Sequence, residues 1–585
     1  MIKLSLSVNA QITSLRRSIH GRIRKLAPVI EWLPGYKLSY LKWDLVAGIT
    51  LAFFVIPTSM AYATLAGLPP VTGIYCYLFA GLLYFVFGTS RQLAIGPTSA
   101  ISIVVASSIG VLAGDDPVKA VTLASATALF MAGLYFIAWL IRLSSLINFI
   151  SDTILLGFKA GAALVIASTQ LPKLFGITGS GNTFFGRIFY LGTHLAETNT
   201  AVLAFGLVAL TLLIAGNYFF RGKPVSLVIV IVSIILLTFT GLKELGISVV
   251  GELPKGIPSL KFSWPGAEEV NEIFFLAMAC FFLSYVESIS AARSIAREKG
   301  YEIDARQELL ALGAANFASS IGGGFAVAGG LSQSTVNSKS GAKSLVSLVF
   351  TSIILGLSLN FLTGLFKNLP YVILAVIVID AVIGLINIKE MKHLFRVSRT
   401  EFWVSILTIV AVIIFGVLKG IIIAVLFSII SLLRKSASPH MAVLGKIPGT
   451  SLFSDITRHP DNQPVESVLI LRPESSILYF NINHIKEDIY TLIINYPGKL
   501  NLLILDLSSA NFVDVSGARF LLQLEDELEK KNISFRIVDA LGNVRDLLRA
   551  EGMEKEIGHI SRRLTINEIL ADYRPDLFTE EEIYR

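Results

Sequence analysis

Between Asp44 and Leu433 the chain repeats one pattern: apolar runs separated by short polar, glycine or proline breaks. Many of these runs reach about 17–25 residues, enough to cross about 30 Å of hydrocarbon as a helix. In lipid the backbone must satisfy its own hydrogen bonds, so a spanning run is expected to be helical. The pattern stops after Lys435. Charged residues make up 16% of the 585, against about 25% in an ordinary soluble protein. The chain is therefore read as a polytopic membrane protein embedded in the lipid bilayer, with a soluble C-terminal part.

The net charge of +7 does not indicate a nucleic-acid partner. Its basic residues sit between apolar runs, as the positive-inside rule requires. Arg16, Arg17, Arg22, Arg24 and Lys25 precede the first run. Arg221 and Lys223, then Arg293, Arg297, Lys299 and Arg306, then Lys389, Lys392, Arg396 and Arg399 lie between later ones. These segments read as cytoplasmic, with residues 1–43 as a cytoplasmic N-terminal segment and no cleavable signal. Cys76 and Cys280 both lie in apolar runs, so neither a disulfide framework nor a metal motif is expected. No phosphate loop, dinucleotide fingerprint or nucleophile elbow occurs. The chain is not read as an enzyme, and no cofactor is expected.

Fourteen candidate spans run 46–66, 73–87, 95–111, 118–141, 154–171, 200–219, 225–240, 273–295, 307–321, 331–338, 345–366, 372–386, 402–417 and 421–433. The third follows a break at Gly96-Pro97. The tenth is short and follows Gly322-Gly323-Gly324 and Gly329-Gly330. Interrupted spans at matching places in two halves point to a transporter site. Third and tenth are seven apart. Seven is odd, so the second half enters the membrane from the opposite side, which predicts a 7+7 inverted repeat.

A helix that starts inside the protein leaves its first N–H groups free and its dipole end positive. Two such ends facing each other form an anion site without a fixed cation. On the third span, the amides of Thr98, Ser99 and Ala100 and the two hydroxyls are candidate donors. Thr98 could also serve only as a helix cap, and the glycines only as close-packing residues.

After Lys435, strand-like stretches at 468–471, 477–480, 502–507 and 535–538 alternate with helical patterns near 485–494, 516–530, 544–550 and 566–571. This alternation predicts a small α/β domain over 466–585. Residues 44–436 form the transmembrane part. Residues 437–465, with Pro439, Pro448, Pro460 and Pro464, read as a linker with a lead-in strand.

Three stretches resemble the SulP family of anion transporters, the sulfate-permease type. They are IPTSMAYATLAGLPP (Ile56 to Pro70), AIGPTSAISI (Ala94 to Ile103) and the gapless block from Tyr285 to Asn337. LDLSSANFVDVSGARFL (Leu505 to Leu521) resembles a STAS domain. The resemblance implies fourteen spans in two inverted repeats of seven, in the uracil-permease-like arrangement of a core domain moving against a gate. It implies a substrate site between the starts of the third and tenth helices, and a homodimer.

The family's positions carry over residue by residue. Ser332, preceded by Leu331, matches a position whose hydroxyl and N–H face the anion. Gln333 stands where many relatives have Arg, so it brings donors but no charge. Thr58 and Tyr62 match pocket-lining places and lie one helical turn apart. Glu287 matches a carboxylate tied to coupling cations. An ionisable group at that depth reads as functional by default. It could carry H⁺ or help bind Na⁺, or pair structurally with Lys159 or an arginine. A hydroxyl residue expected four positions on is replaced by Ala291, with Ser288 and Ser290 nearby, which favours H⁺. Lys159 is expected to snorkel, and Asp380 has no assigned role. In the STAS stretch, Val515 occupies the place of a phosphorylated serine. Kinase switching is therefore not expected, although Ser516 remains modifiable. A role in assembly, trafficking or inhibition is expected instead.

The leading expectation is a secondary active transporter of a small inorganic or carboxylate anion, such as sulfate or bicarbonate. It would be coupled to H⁺ or Na⁺, work by alternating access, and lie in the cell inner membrane with both termini cytoplasmic. The alternatives are an uncoupled exchanger or channel of the same fold, and more remotely a nucleobase-type permease.

Overall fold

The apolar runs fold as helices, and the breaks between them decide where each helix begins. The computed structural model describes residues 26–575 except 115, 144–151, 180, 182, 221–223 and 562–563. Arg16 to Lys25, Arg221 and Lys223 lie outside the described residues. Two compact units result, residues 1–428 and 429–585.

In the first unit the chain runs α1 (Leu38–Leu65), α2 (Val71–Phe87), β1 (Ile95–Gly96), α3 (Ser99–Ala113), α4 (Pro117–Leu140) and α5 (Asp152–Phe175). It continues through α6 (Phe184–Thr193), α7 (Thr200–Phe219), α8 (Val225–Phe239), α9 (Val270–Lys299) and α10 (Ala305–Ile321). It ends with β2 (Ala328–Gly329), α11 (Leu331–Lys339), α12 (Val346–Phe361), α13 (Tyr371–Ile383), α14 (Ile388–Val397), α15 (Arg399–Phe415) and α16 (Val417–Ala437). Single turns at Val29–Trp32 and Thr363–Phe366 are left unnumbered.

Among the described residues, six stretches are long and apolar enough to cross a bilayer by themselves: 38–65, 117–140, 153–175, 200–219, 270–299 and 371–397. Shorter apolar helices lie at Val71–Phe87, Ser99–Ala113, Val225–Phe239 and Val346–Phe361. Large apolar side chains such as Leu207, Val208, Leu212, Val228 and Ile231 are exposed on α7 and α8. A soluble monomer rarely carries so large an apolar surface. The amphipathic helices α6 and α14 are absent from the expected spans.

Small residues set the closest approaches, as expected without a hydrophobic drive between helices in lipid. A Cβ on Gly48 would lie 2.6 Å from the Ser347 carbonyl of α12, and one on Gly157 would lie 2.3 Å from the Ser405 carbonyl of α15. The contacts follow a rule. α4 packs on α10 and α2 on α12; α1 packs on α12 and α9 on α4; α5 packs on α15 and α13 on α7; α3 packs on α9 and α11 on α1. Within each pair of contacts, exchanging α1–α5 and α7 with α9–α13 and α15 turns one into the other.

Two buried carboxylates fasten loops. Asp44 accepts from the Lys343 and Ser344 amides (2.6 and 3.0 Å), the Ser344 hydroxyl (2.7 Å) and the Tyr36 hydroxyl (2.9 Å). Glu308 accepts from the Thr89 and Ser90 amides (2.8 and 3.1 Å) and from the hydroxyls of Thr89 and Tyr84 (2.5 and 2.7 Å). These acids are saturated with donors, which is how a buried charge becomes tolerable.

The second unit is a five-stranded sheet of order β4-β3-β5-β6-β7. Its strands are β3 (Met441–Lys446), β4 (Phe453–Asp455), β5 (Val468–Pro473), β6 (Leu502–Asp506) and β7 (Ser534–Val538). β3 is antiparallel to both β4 and β5, while β5, β6 and β7 are parallel. α17 (Ile482–Ile494), α18 (Val515–Glu529), α19 (Gly542–Ala550) and α20 (Met553–Ile557) share one apolar core with the sheet, and α21 (Ile566–Tyr573) joins another on the opposite face.

One expectation fails here. Residues 477–480 form a single bridge, Ile477 with Val513, rather than a strand. The Asn481 side chain takes the Leu478 amide and the Asp514 side chain takes the Tyr479 amide. Their donors are therefore lost to a ladder. The stretch read as a linker with a lead-in strand supplies both β3 and β4.

Candidate functional site

Pro97 has no N–H, and the residue before a proline is pushed toward extended backbone. Gly96 sits in that extended position, and a Cβ there would lie 2.1 Å from the Tyr77 ring. The chain can therefore run as a strand beneath Tyr77 only with glycine. β1 pairs antiparallel with β2, Ile95 opposite Gly329 and Gly96 opposite Ala328. Further bonds stitch the two stretches together. The Ala94 amide donates to the Ser334 hydroxyl (2.9 Å), and the Asn337 side chain donates to the Gln92 carbonyl (3.0 Å). The chain leaves this strand pair in opposite directions, and each side starts a helix, α3 and α11.

Both helix starts open on one cavity of about 560 Å³. Tyr62, Thr98, Ser99, Glu287, Leu331, Ser332 and Gln333 all line it. Thr98 caps α3: its hydroxyl accepts from the Ile101 amide (3.4 Å) and donates to Glu287 Oε2 at 3.0 Å. Cap and candidate site residue are thus one side chain with two bonds. Ser332 and Leu331 are exposed to the cavity, while Gln333 is buried. The Gln333 amide folds back over Gly330, the α11 cap residue. Among the described residues its Nε2 has no acceptor.

Two expected residues stand apart. The Thr58 hydroxyl bonds to the Phe54 and Val55 carbonyls of its own helix (2.9 and 3.3 Å), one turn beyond Pro57. Ala100 is buried in the first turn of α3. Neither lines the cavity.

Glu287 differs from Asp44 and Glu308. The Thr98 hydroxyl is its one hydrogen-bond donor, and no ion pair reaches it, among the described residues. Ser288 points elsewhere: its hydroxyl donates to the Ser284 carbonyl (2.5 Å) and accepts from the Gly329 amide (2.7 Å), so it holds β2 in place. Ser290 and Ser294 line the cavity beside Ala291.

Two charges sit where sequence did not put them. Lys159 lines the cavity from α5 instead of snorkelling away, and Glu390 lines it from α14. Asp380 is held on α13 by the Asn217 side chain of α7 at 2.9 Å, outside the cavity lining. Depth along a span is legible in sequence, but the face a residue presents is set by packing.

In the sheet domain, Asp514 caps α18 through the Gly517 amide (2.7 Å) and also takes the Tyr479 amide (2.8 Å). A Cβ on Gly517 would lie 2.8 Å from the Ile477 carbonyl. The Asp-x-x-Gly pattern is satisfied structurally, with Val515 and Ser516 exposed between.

Comparison with known proteins places this arrangement. A model described as the sulfate permease family matches residues 41–408, and a STAS domain model matches residues 459–567. The chain is 32% identical to "Sulfate transporter 4.1, chloroplastic" of Arabidopsis thaliana, over 92% of this chain and 81% of that protein. It is 29% identical to "Probable sulfate transporter Rv1739c" of Mycobacterium tuberculosis (strain ATCC 25618 / H37Rv), over 93% and 98%. The solved structure of SLC26A9 superimposes with a TM-score of 0.85 at 22% identity, covering 97% of this chain and 96% of that one. These relatives are transporters, not enzymes. The chain is a multi-pass membrane protein that belongs to the sulfate permease family.

Proposed function

We propose that the chain is a secondary active carrier of a small oxyanion, sulfate or bicarbonate in class, coupled to H⁺ through Glu287. The observation that carries this reading is the strand pair β1/β2, which turns two helix starts onto one cavity beside a sparsely bonded carboxylate. The free first amides of α3 and α11 suit a tetrahedral or planar oxyanion. Ser99, Ser332 and the unpartnered Gln333 amide add side-chain donors, with Tyr62 and Leu331 as apolar walls, while the Thr98 hydroxyl donates to Glu287. Thr58 and Ala100 contribute only through the helices they shape.

The exchange of contacts between the two halves supports fourteen spans in two inverted repeats. α1–α4 with α9–α12 form the moving core, and α5, α7, α8, α13, α15 and α16 form the gate. The cavity mouth lies at α14, which carries Lys389, Lys392 and Arg396. The positive-inside rule makes that face cytoplasmic, with both termini on it, and makes the arrangement inward-open. Proton coupling is favoured over Na⁺ because the Ser288 hydroxyl is committed to β2 and Ala291 has no side-chain oxygen. The domains are taken as 1–43, 44–436, 437–465 and 466–585, in a homodimer of the cell inner membrane.

Lys159 supports a second reading. A resident cation in the cavity could balance the anion without a coupling ion, giving an uncoupled exchanger. Uptake of labelled sulfate and bicarbonate into proteoliposomes, each with and without pH and Na⁺ gradients, separates the two. Accumulation driven by a pH gradient supports the symport. Counterflow with no gradient response refutes coupling and leaves exchange.

A further inference from the structure

A second cavity, of about 830 Å³, lies along the same helices as the first. α1, α3 and α5 line both: Tyr62, Ser99 and Lys159 in the first, Leu65, Ile103 and Val165 in the second. On each helix the lower number belongs to the first cavity. The two cavities therefore lie in series along one seam. The separations are three, four and six residues, so at 1.5 Å per residue the partition is roughly 4–9 Å thick. Within it Ala63 of α1, Ile101 of α3 and Ala162 of α5 are fully buried.

The charge content differs between the two. The first cavity is lined by Lys159 with two carboxylates, Glu287 and Glu390. Among the described residues, the second is lined by two cations, Arg187 of α6 and Lys419 of α16, and by no carboxylate. α6 and the turn between α15 and α16 bring them there from segments far apart in sequence. Ser107 and Ser108 of α3 also line this cavity. A concave, single-sign wall with low-dielectric sides concentrates ions of the opposite sign.

We propose that the second cavity is an anion-collecting vestibule on the face opposite the first cavity's mouth, where Arg187 and Lys419 gather the anion before it reaches the amide ends of α3 and α11. The inference rests on the transport reading above and adds the route by which the anion arrives. The cations act on arrival and not on the central site, so they set the apparent KM from one face only. In this arrangement the partition closes the vestibule; movement of the core would open it.

The test is unidirectional uptake of labelled sulfate, with labelled bicarbonate in parallel, into right-side-out and inverted membrane vesicles. The full chain is compared with an Arg187→Gln/Lys419→Gln variant at low and high salt. From the vestibule face, KM is expected to rise about three- to tenfold at low ionic strength. The two chains should converge near 1 M salt, where the screening length is about 3 Å. The maximal rate, and KM from the opposite face, should hold, which also shows that the variant is folded. The charge-keeping Arg187→Lys/Lys419→Arg variant should restore the low KM. An unchanged KM from the vestibule face, an equal rise from both faces, or no restoration by the charge-keeping variant would each overturn the vestibule. A correctly inserted, unmodified chain that moves neither anion from either face overturns the transport reading, and the vestibule with it.

Discussion

At the scale of single residues, three acids of the first unit, two of them buried and one lining the cavity, show what depth alone does not tell. Asp44, Glu287 and Glu308 all look anomalous in apolar sequence, yet two are loop fasteners with four donors each. Glu287 has one, from Thr98. An acid free to change its protonation must not be locked in the charged form by many donors. Glu287→Gln is therefore expected to abolish pH-driven accumulation while leaving anion counterflow, measured in proteoliposomes; undiminished accumulation would remove Glu287 from the coupling role. In the sheet domain, burial and then the charges of Asp506 and Glu568 push the Asp539 carboxyl above its ordinary value. Its charged form thus costs stability above the raised value, and the cost vanishes as pH falls toward the unfolded value near 3.9. Asp539 also sits at φ 52°, a region asparagine tolerates. Asp539→Asn should stabilise the domain at pH 7 by on the order of 0.5 kcal/mol after solvent screening, with the gain shrinking in acid. Calorimetric unfolding across pH checks this, and a gain that grows in acid would contradict it. Glu287 was legible in sequence because an uncharged run surrounds it. The inward face of Lys159 was not, because a span's register against its neighbours is a packing outcome.

At the scale of elements, proline and glycine breaks carried the most information. Gly96-Pro97 and Gly329-Gly330 announce the starts of α3 and α11, and a side chain at Gly96 or Gly329 would crowd the Tyr77 ring or Leu93 beside the paired strands. Gly96→Ala should force the Tyr77 ring away at a cost of about 1–3 kcal/mol and abolish uptake without preventing insertion. Adding Tyr77→Leu, which removes the crowding ring atoms, should recover part of the uptake; no recovery would mean the strand pair is not what fails. α6 and α14 were missed because their charged faces read as loop, although apolar residues recur at helical spacing in both. Residues 477–480 were misread for the opposite reason. Their composition suits a strand, but Asn481 and Asp514, distant or later in sequence, take the amides a ladder needs.

At the scale of the molecule, every residue of the 560 Å³ cavity lies between Tyr62 and Leu394. A chain ended after Ala437 is therefore expected to keep saturable anion uptake, assayed per inserted molecule. Complete loss despite normal insertion would give the sheet domain a direct part in transport. The two-residue pairing of β1 with β2 has one more consequence. It ties the two amide ends to each other, so on the proposed carrier mechanism their grip on an anion would be the same whichever compartment they face. On the proposed carrier mechanism, any thermodynamic asymmetry between loading and unloading must then come from groups on the gate helices, such as Lys159 of α5, which lines the cavity.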